Sequence, residues 1–210
     1  MVSILIADDH AILRRGLKEI LMRELGEAIW GEAENAEQVL MQVDTRNWDL
    51  VILDITMPGR SGLDVLGDLV RMRPQLRVLV LSMHPEDQYA TRVLKAGASG
   101  YMVKESAPEE LLKAIQKVLA GGRYVSSTLA EKLALHLGEN TERAAHEALS
   151  GREFEILLMI ASGKTVAQIA GELHLSVTTI STYRGRILEK LNLTTNADLI
   201  RYALHSRLVD

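Results

Sequence analysis

The sequence of 210 residues contains no cysteine, so it can form neither disulfide bonds nor a thiolate-ligated metal site. It also has no apolar stretch near the roughly 20 residues of a membrane-spanning helix. Its first residues, MVSILIADDH, have no basic leader and soon become acidic, which predicts a strand and not a signal peptide. We therefore expect a cytoplasmic protein that does not bind a membrane.

The net charge is also small, at −4, but it is unevenly distributed. Residues 1–122 carry 14 basic and 18 acidic side chains (net −4), residues 123–149 carry 3 and 4 (net −1), and residues 150–210 carry 7 and 6 (net +1). The length allows one large domain or two small ones, and the asymmetry favours two regions with different tasks. A net charge of +1 is weak evidence for nucleic acid, because binding depends on a local basic face.

Short β-branched runs alternate with helical patterns through the first part of the chain. Most of these runs are nearly continuous in apolar residues, which is typical of strands buried on both faces. The segments between them repeat apolar residues at helical spacing. This pattern predicts an α/β fold with a doubly wound, five-stranded parallel sheet. The predicted strands are Val2–Ala7, Ala28–Gly31, Trp48–Leu53, Arg77–Ser82 and Ser99–Val103.

Polar side chains stand at the ends of four predicted strands. Asp8 and Asp9 follow the first strand, Asp54 follows the third, Ser82 ends the fourth and Lys104 follows the fifth. Ligands of a doubly wound sheet bind beyond the carboxyl ends of its strands. We therefore expect these side chains to meet at one edge of the sheet.

Three carboxylates at that edge predict a site for Mg²⁺, which prefers hard oxygen ligands. A carboxylate can attack a phosphoryl donor to form an acyl phosphate, and a cation relieves the repulsion between the two anions. Without the cation, at least one carboxyl group should have a raised pKa. We expect Asp9 and Asp54 to be direct ligands, Asp8 to bind directly or through water, and Thr56 to contribute its backbone carbonyl.

Each of these residues also has a purely structural interpretation. The Asp8–Asp9 pair could cap the helix that begins near His10, and the proline and glycine after Asp54 could specify only a turn. A serine or lysine at a strand end is uninformative alone. The coincidence of all of them at one edge favours a site. There Lys104 would pair with phosphoryl oxygens as a point charge.

Residues from Val2 to about Gly122 resemble the receiver domain of bacterial two-component response regulators. The resemblance rests on the acidic pair after the first strand and on the segments LDITMPGRSGLDVL, LSMH and GYMVK. It implies that a sensor histidine kinase phosphorylates Asp54 and that Lys104 contacts the phosphoryl group. It also implies that Ser82 and Tyr101 respond to that group.

The implied response is a change of shape. A phosphoryl group adds roughly −1.5 to −2 of charge and three acceptor oxygens. Movement of Ser82 toward it would vacate space into which Tyr101 could turn, altering the face formed by residues 86–96, 99–103 and 108–120. For the unmodified protein, the residue pattern alone favours a half-exposed Tyr101.

From Ser150 onward the pattern is purely helical. Ser150 and Glu153 predict a capping box. Further helices are predicted over Thr165–Leu173, Val177–Leu191 and Asn196–Ser206. The first two of these are separated by a short turn, which is the outline of a helix-turn-helix.

These patterns divide the chain into three parts. A receiver domain is predicted at 1–122 and a small all-α helix-turn-helix domain at 149–210. Between them, residues 123–148 are predicted to form a partly helical linker, with a helix at Ser127–Leu137 and a polar, weakly periodic segment after it.

Residues Leu149 to about Leu208 resemble the LuxR-type helix-turn-helix of the NarL/FixJ subfamily, through S-x-R-E-x-E-I-L and the pairs Ile169-Ala170, Leu175-Ser176, Thr179-Ile180 and Lys190-Leu191. The resemblance implies a transcription factor that dimerises on double-stranded DNA. Ser181 stands where many relatives have lysine, which favours phosphate and shape readout over base contacts.

The helix predicted at Val177–Leu191 has a polar face suited to DNA. Its short side chains permit a close approach to base edges, and its basic residues suit phosphates. Two alternatives to this DNA-binding interpretation stay open. The polar face could simply be exposed to solvent, and Arg186 could pair with Glu189 or Glu153. The expected DNA-contacting residues are Lys164, Thr165, Thr178, Ser181, Thr182, Arg184, Gly185, Arg186 and Lys190.

The leading hypothesis is a phosphorylation-activated transcription factor, not a turnover enzyme, that forms a homodimer when phosphorylated. One alternative is a Mg²⁺-dependent phosphohydrolase, but such enzymes of the aspartyl-phosphate type generally use D-x-D, and Thr56 stands in place of the second acid. Another alternative keeps the DNA-binding domain and makes the receiver a constitutive dimerisation module. The intact set of strand-end acids argues against that alternative.

Overall fold

The structure, a computed structural model, describes residues 1–136 and 145–209 of the chain. These fall into two units, with the division at Gly138–Glu139. The last residue of the helix predicted at Ser127–Leu137 lies outside the described residues, as does most of the polar segment after it. Every helix within the described ranges is too short or too polar to cross a membrane.

Five parallel strands form the sheet of the first unit in the order β2-β1-β3-β4-β5. This confirms the predicted doubly wound α/β architecture. The strands are β1 (Val2–Ala7), β2 (Ala28–Ala33), β3 (Leu50–Leu53), β4 (Arg77–Ser82) and β5 (Gly100–Val103). The helices between and after them are α1 (Ala11–Leu25), α2 (Ala36–Thr45), α3 (Gly62–Met72), α4 (Glu86–Lys95) and α5 (Pro108–Leu119).

The central strands are buried on both faces, which explains their continuous apolar sequences. Ile4 and Ile52 belong to a core shared with Leu17 of α1 and Ile115 of α5. Residues of opposite parity, such as Leu5, point to the other face and are equally buried. Helices therefore cover both sides of these central strands, so a ligand can reach them at their ends.

Strand β3 begins two residues later than predicted. The indole nitrogen of Trp48 donates a hydrogen bond to the carbonyl of Gln42 at 3.1 Å, so this side chain is tied to the end of α2. Pairing with β1 starts only where Leu50 lies opposite Ile4. At the other end, Gly62 begins α3 so close to β3 that a Cβ atom on it would lie 2.2 Å from the carbonyl oxygen of Asp54.

The chain after α5 stays on the first unit. Tyr124 forms a parallel bridge with Gly100 beside β5, and helix α6 (Ser127–His136) follows. Ser126 caps this helix by accepting from the amide of Leu129 at 3.0 Å, and its hydroxyl donates to Glu86 of α4 at 2.5 Å.

The described part of the second unit is helical, as predicted. A 3₁₀ turn (Ala145–Ala148) precedes α7 (Gly151–Ala161), α8 (Val166–Glu172), α9 (Val177–Lys190) and α10 (Asn196–His205). The predicted capping box of Ser150 and Glu153 is present at the start of α7. His174, with a φ of +53°, lies in the turn between α8 and α9, which completes the helix-turn-helix.

Candidate functional site

Three of the predicted strand-end residues meet at the carboxyl edge of the sheet. The ammonium nitrogen of Lys104 lies 2.6 Å from Oδ2 of Asp8 and 2.7 Å from Oδ2 of Asp54. All three side chains are 5% exposed or less. One buried cation therefore joins carboxylates that come from two different strands.

The loop after β3 holds Asp54 in place. Its backbone amide donates to the carbonyl of Ala7 at 2.8 Å, and its Oδ1 accepts from the amide of Thr56 at 3.1 Å. The contacts observed for Thr56 thus use its amide and, toward His84, its hydroxyl. The carbonyl that we predicted as a metal ligand stays a prediction.

Asp9 lies beside Asp8 and Asp54 and adds a third carboxylate to the cluster. Ligand atoms of Asp8, Asp9, His10 and Asp54 all lie within 4.8 Å of one another. Oδ1 of Asp9 is buried and accepts no hydrogen bond from the described residues, although Nδ1 of His10 is 2.8 Å away. A buried carboxylate oxygen needs a partner, and a divalent cation would supply one. The residues therefore fit the predicted cation.

The electrostatics of the pocket are unbalanced in favour of negative charge. Burial, reinforced by the charge of Asp8, raises the pKa of Asp54 from 3.8 to about 6 against the opposing effect of Lys104. Burial also disfavours the Lys104 ammonium, but Asp54 and Asp8 outweigh this and hold its pKa above the usual value. The expectation of a raised carboxyl pKa is confirmed.

Tyr101 differs from the expectation drawn from the residue pattern. The side chain is fully buried and not half-exposed, because α4 packs against β5. Its hydroxyl donates to the carbonyl of His84 at 2.7 Å, which satisfies the polar end of the ring. Burial raises the pKa of Tyr101. Ser82, also fully buried, accepts from the amide of His84 at 3.1 Å.

His84 and His10 contribute to the site although sequence reasoning gave them no role. Nε2 of His84 lies 3.1 Å from the hydroxyl of Thr56, and its ring stacks on Tyr89 of α4 with centroids 4.5 Å apart. His84 thus connects the loop after β3 to α4. The sequence indicates these roles only through position, because His10 directly follows the acidic pair and His84 comes two residues after Ser82.

The second unit exposes much of the predicted polar face of α9. Thr178, Ser181, Thr182 and Gly185 are all exposed. The hydroxyl of Ser181 donates to the carbonyl of Val177 at 2.9 Å, and that of Thr182 donates to Thr178 at 3.0 Å. Because their protons are used in this way, these hydroxyls face solvent as acceptors.

Several predicted basic contacts also bind within the second unit. Nζ of Lys190 donates to Oε2 of the buried Glu153 at 2.6 Å, and Nε of Arg184 donates to Oδ1 of Asn196 at 2.5 Å. The guanidinium of Arg186 lies 5.9 Å from the ring centroid of Tyr183. Lys190 therefore occupies the position beside Glu153 that was an alternative for Arg186.

The start of α8 places the other two predicted contacts together. Thr165 caps the helix, with its hydroxyl accepting from the amide of Gln168 at 3.3 Å. Nζ of Lys164 donates to Oε2 of Glu172 at 2.5 Å. Both residues are on the surface, so their present contacts are exposed to exchange with a ligand.

A parallel sheet with a lysine-bridged acid cluster at its carboxyl edge, in a chain that also contains a helix-turn-helix, defines a two-part signalling regulator. Residues 4–116 match the response regulator receiver domain family, and residues 147–203 match the luxR family of bacterial regulatory proteins. The chain belongs to the two-component response regulators of the NarL/FixJ subfamily. It is accordingly a phosphorylation-dependent transcriptional regulator.

Similar proteins match along nearly the whole chain. Response regulator GacA of Pseudomonas aeruginosa is 37% identical over 211 residues, covering 100% of this chain and 99% of the relative. Response regulator UvrY of Escherichia coli K12 is 35% identical, covering 97% and 94%. RcsB from Salmonella enterica serovar Typhimurium, solved bound to promoter rprA with the phosphomimetic BeF3−, has a TM-score of 0.63 and 28% identity over 96% of this chain and 97% of its own.

Proposed function

We propose that Asp54 accepts a phosphoryl group from the histidine of a sensor kinase. A carboxylate oxygen of Asp54 forms a bond to phosphorus while the bond from phosphorus to the imidazole nitrogen breaks, and that electron pair returns to the ring. The observation that carries the proposal is the position of Asp54, which is almost fully buried and lies 2.7 Å from Lys104. The protein is reset by hydrolysis of the acyl phosphate and is not a turnover enzyme.

The surrounding residues have separate tasks in this transfer. Asp8, Asp9 and Asp54 would hold Mg²⁺, with the carbonyl of Thr56 as a further ligand. When bound, the cation offsets the repulsion between the carboxylates and the incoming phosphoryl oxygens. Lys104 gives up its bond to Asp54 and donates to a phosphoryl oxygen.

The response to phosphorylation begins from a buried Tyr101. The hydroxyl of Ser82 turns from the amide of His84 toward the phosphoryl group. That movement releases the segment between β4 and α4, whose His84 carbonyl accepts from Tyr101. The change therefore reaches α4 through the backbone and does not require the tyrosine ring to enter the core.

The consequence is homodimerisation and binding to double-stranded DNA in the cytoplasm. We place the receiver at 1–122, the linker at 123–148 and the DNA-binding domain at 149–210. A dimer would contact paired half-sites about one helical turn apart, or a multiple of that spacing. The proposed DNA contacts are Lys164, Thr165, Thr178, Ser181, Thr182, Arg184, Gly185, Arg186 and Lys190.

The test is phosphorylation by acetyl phosphate with Mg²⁺, followed on Phos-tag gels and by fluorescence anisotropy with upstream DNA. Wild type should be retarded on the gel and should bind DNA more tightly after treatment. Asp54→Ala should do neither, whereas Asp44→Asn, an exposed acid on α2, should behave as wild type. Equal gel shifts for wild type and Asp54→Ala would exclude Asp54 as the acceptor. If wild type and Asp54→Ala bound DNA with equal affinity, with and without acetyl phosphate, the receiver would instead be a constitutive dimerisation module.

A further inference from the structure

A buried arginine outside the acid cluster makes a contact that the proposed transfer does not use. Arg14 lies in the first turn of α1 and is only 5% exposed. One terminal nitrogen of its guanidinium donates to the backbone carbonyl of Asp8 at 2.6 Å, and the other donates to Oε1 of Glu34 at 2.6 Å. Burying a guanidinium is costly unless it is paired and hydrogen-bonded, and these two bonds supply its partners.

The backbone contact completes the fixation of Asp8. Its amide donates to the carbonyl of Ala33 at 3.1 Å. Its Oδ1 accepts from the amide of His10 at 2.8 Å, and its Oδ2 lies 2.6 Å from Nζ of Lys104. Arg14 holds the remaining group, which is the carbonyl.

That carbonyl belongs to the peptide plane that joins Asp8 to Asp9. Because a peptide group is planar, fixing the oxygen of Asp8 also fixes the amide nitrogen and Cα of Asp9. Asp9 is the acid whose Oδ1 accepts no hydrogen bond from the described residues, although Nδ1 of His10 lies 2.8 Å from it. His10 follows Asp9 directly and is largely exposed, so the backbone that carries Asp9 contributes to the orientation of this oxygen, and Arg14 restrains that backbone.

The second arm of Arg14 anchors it to the end of β2. Glu34 accepts from it directly, and Oε2 of Glu32 lies 3.6 Å from its Nε. Lys18, one turn further along α1, donates to Oε1 of Glu32 at 2.8 Å. A planar guanidinium can span the Asp8 carbonyl and the Glu34 carboxylate at once, whereas a lysine ammonium is a single point donor.

We propose that Arg14 is a positioning residue for the divalent-cation site, acting by restraining the Asp8–Asp9 peptide so that both carboxylates face the cation. This inference rests on the proposed function of the pocket. A residue that orients metal ligands without touching the metal commonly changes affinity by about 10- to 100-fold when it is replaced. If Arg14 were purely structural, replacing it would lower the stability of the protein and leave its metal affinity unchanged.

The test is calorimetric titration of the metal-free full-length chain with Mg²⁺, at a temperature where every variant is folded. Arg14→Lys keeps the positive charge but loses the planar guanidinium that spans two acceptors. The dissociation constant of this variant for Mg²⁺ should therefore rise about tenfold. Leu21→Ala is the matched control, because Leu21 is a fully buried core residue of the same helix and its truncation destabilises the protein without touching Asp8. Its dissociation constant should equal that of wild type.

A second readout separates positioning from catalysis. The rate of phosphorylation by acetyl phosphate, measured against Mg²⁺ concentration, should need about tenfold more Mg²⁺ for half-saturation in Arg14→Lys. The rate at saturating Mg²⁺ should equal that of wild type, because Arg14 does not contact the reacting atoms.

Four outcomes would overturn either the positioning role or the proposed function. An unchanged dissociation constant in Arg14→Lys, or an equal rise in Leu21→Ala, overturns the positioning role. If Arg14→Lys does not fold, Glu34→Gln replaces it: loosening the guanidinium should raise the dissociation constant about tenfold, the low end for an outer partner, and no rise overturns the role. Failure of wild type to bind Mg²⁺ refutes the proposed function itself.

Discussion

Two clusters of buried charge, one in each unit, are arranged in opposite ways. In the first unit, the carboxylates of Asp8 and Asp54 share the single ammonium of Lys104, and Asp9 adds a third acid at the edge. In the second unit, Arg152 pairs with Glu155 at 2.6 Å, with both side chains 3% exposed or less. The first arrangement leaves an excess of negative charge, and the second is balanced.

The pKa values follow this difference. Burial raises the pKa of Asp54 to about 6, and one lysine does not offset it. Burial also acts on Glu153 in the second unit, but hydrogen bonds from Lys190 and Ser150 outweigh it and lower its pKa. A buried acid whose charge is offset by its hydrogen bonds and a nearby cation keeps a low pKa, whereas a buried acid without enough compensation is poised to bind a cation or to be modified.

The largest effect should come from unbalancing the second unit. Glu155→Gln removes the carboxylate 2.6 Å from Arg152 and should lower the free energy of unfolding of that unit by about 3 kcal/mol, as for broken buried pairs. Hydrogen exchange at the amides of α7 measures it. Glu172→Gln, which breaks the exposed pair with Lys164, should cost less than about 1 kcal/mol. Equal effects of the two changes would contradict the distinction between buried and exposed pairs.

The next effect should come from removing an acid from the first unit. Asp9→Asn deletes a proposed cation ligand. It should slow phosphorylation by acetyl phosphate at limiting Mg²⁺ by about 100-fold, because losing a ligand should cost as much as the largest effects of losing a residue that only supports a ligand. Raising the Mg²⁺ concentration should restore part of the rate. Asp44→Asn serves as the control and should leave the rate unchanged. A wild-type rate for Asp9→Asn would remove Asp9 from the ligand set.

The positions of the acids could be predicted because they depend on few assumptions. Continuous apolar runs such as LVIL predict buried parallel strands, and parallel geometry brings their carboxyl ends together. Asp8, Asp54 and Lys104 meet for this reason. Coordination chemistry then predicted the metal-binding role of the acids and the phosphoryl contact of Lys104, and the family resemblance identified Asp54 as the residue to be phosphorylated.

The contacts that could not be predicted depend on which helix covers which position. The burial of Tyr101 requires α4 to lie on that face of β5, and nothing in the strand itself specifies this. Arg14 is one polar residue on an amphipathic helix, and its burial depends on reaching the carbonyl of Asp8. Lys190 pairs with Glu153 across 37 positions of sequence, so local spacing gives no signal for it.

Neutralising Asp54 should stabilise the metal-free first unit in a pH-dependent way. The folded-state pKa is raised from 3.8 to about 6, so the folded state binds this proton more tightly than the unfolded chain does. The stabilising effect of that proton is present below the unfolded pKa and is lost as pH rises through the folded pKa.

The Asp54→Asn variant has no carboxyl group at this position, so it does not lose stability in this way as the pH rises. Its advantage in free energy of unfolding over wild type should therefore be smallest near the unfolded pKa and grow to about 3 kcal/mol above pH 6. Denaturation followed by tryptophan fluorescence reports on this unit, because both Trp30 and Trp48 lie in it. Saturating Mg²⁺ should abolish the advantage. An advantage independent of pH would show that the charge of Asp54 is not its cause.

The smallest effect should be on the salt dependence of DNA binding. Arg186 is exposed on α9 and lies over the ring of Tyr183, so it can contact a phosphate without breaking an ion pair such as that of Lys190. Arg186→Gln should reduce the slope of log affinity against log salt concentration by about 1. Arg71→Gln makes the same charge change on α3 of the first unit and should leave the slope unchanged. If both variants change the slope equally, the effect is one of total charge, and α9 has no special electrostatic contact with the DNA backbone.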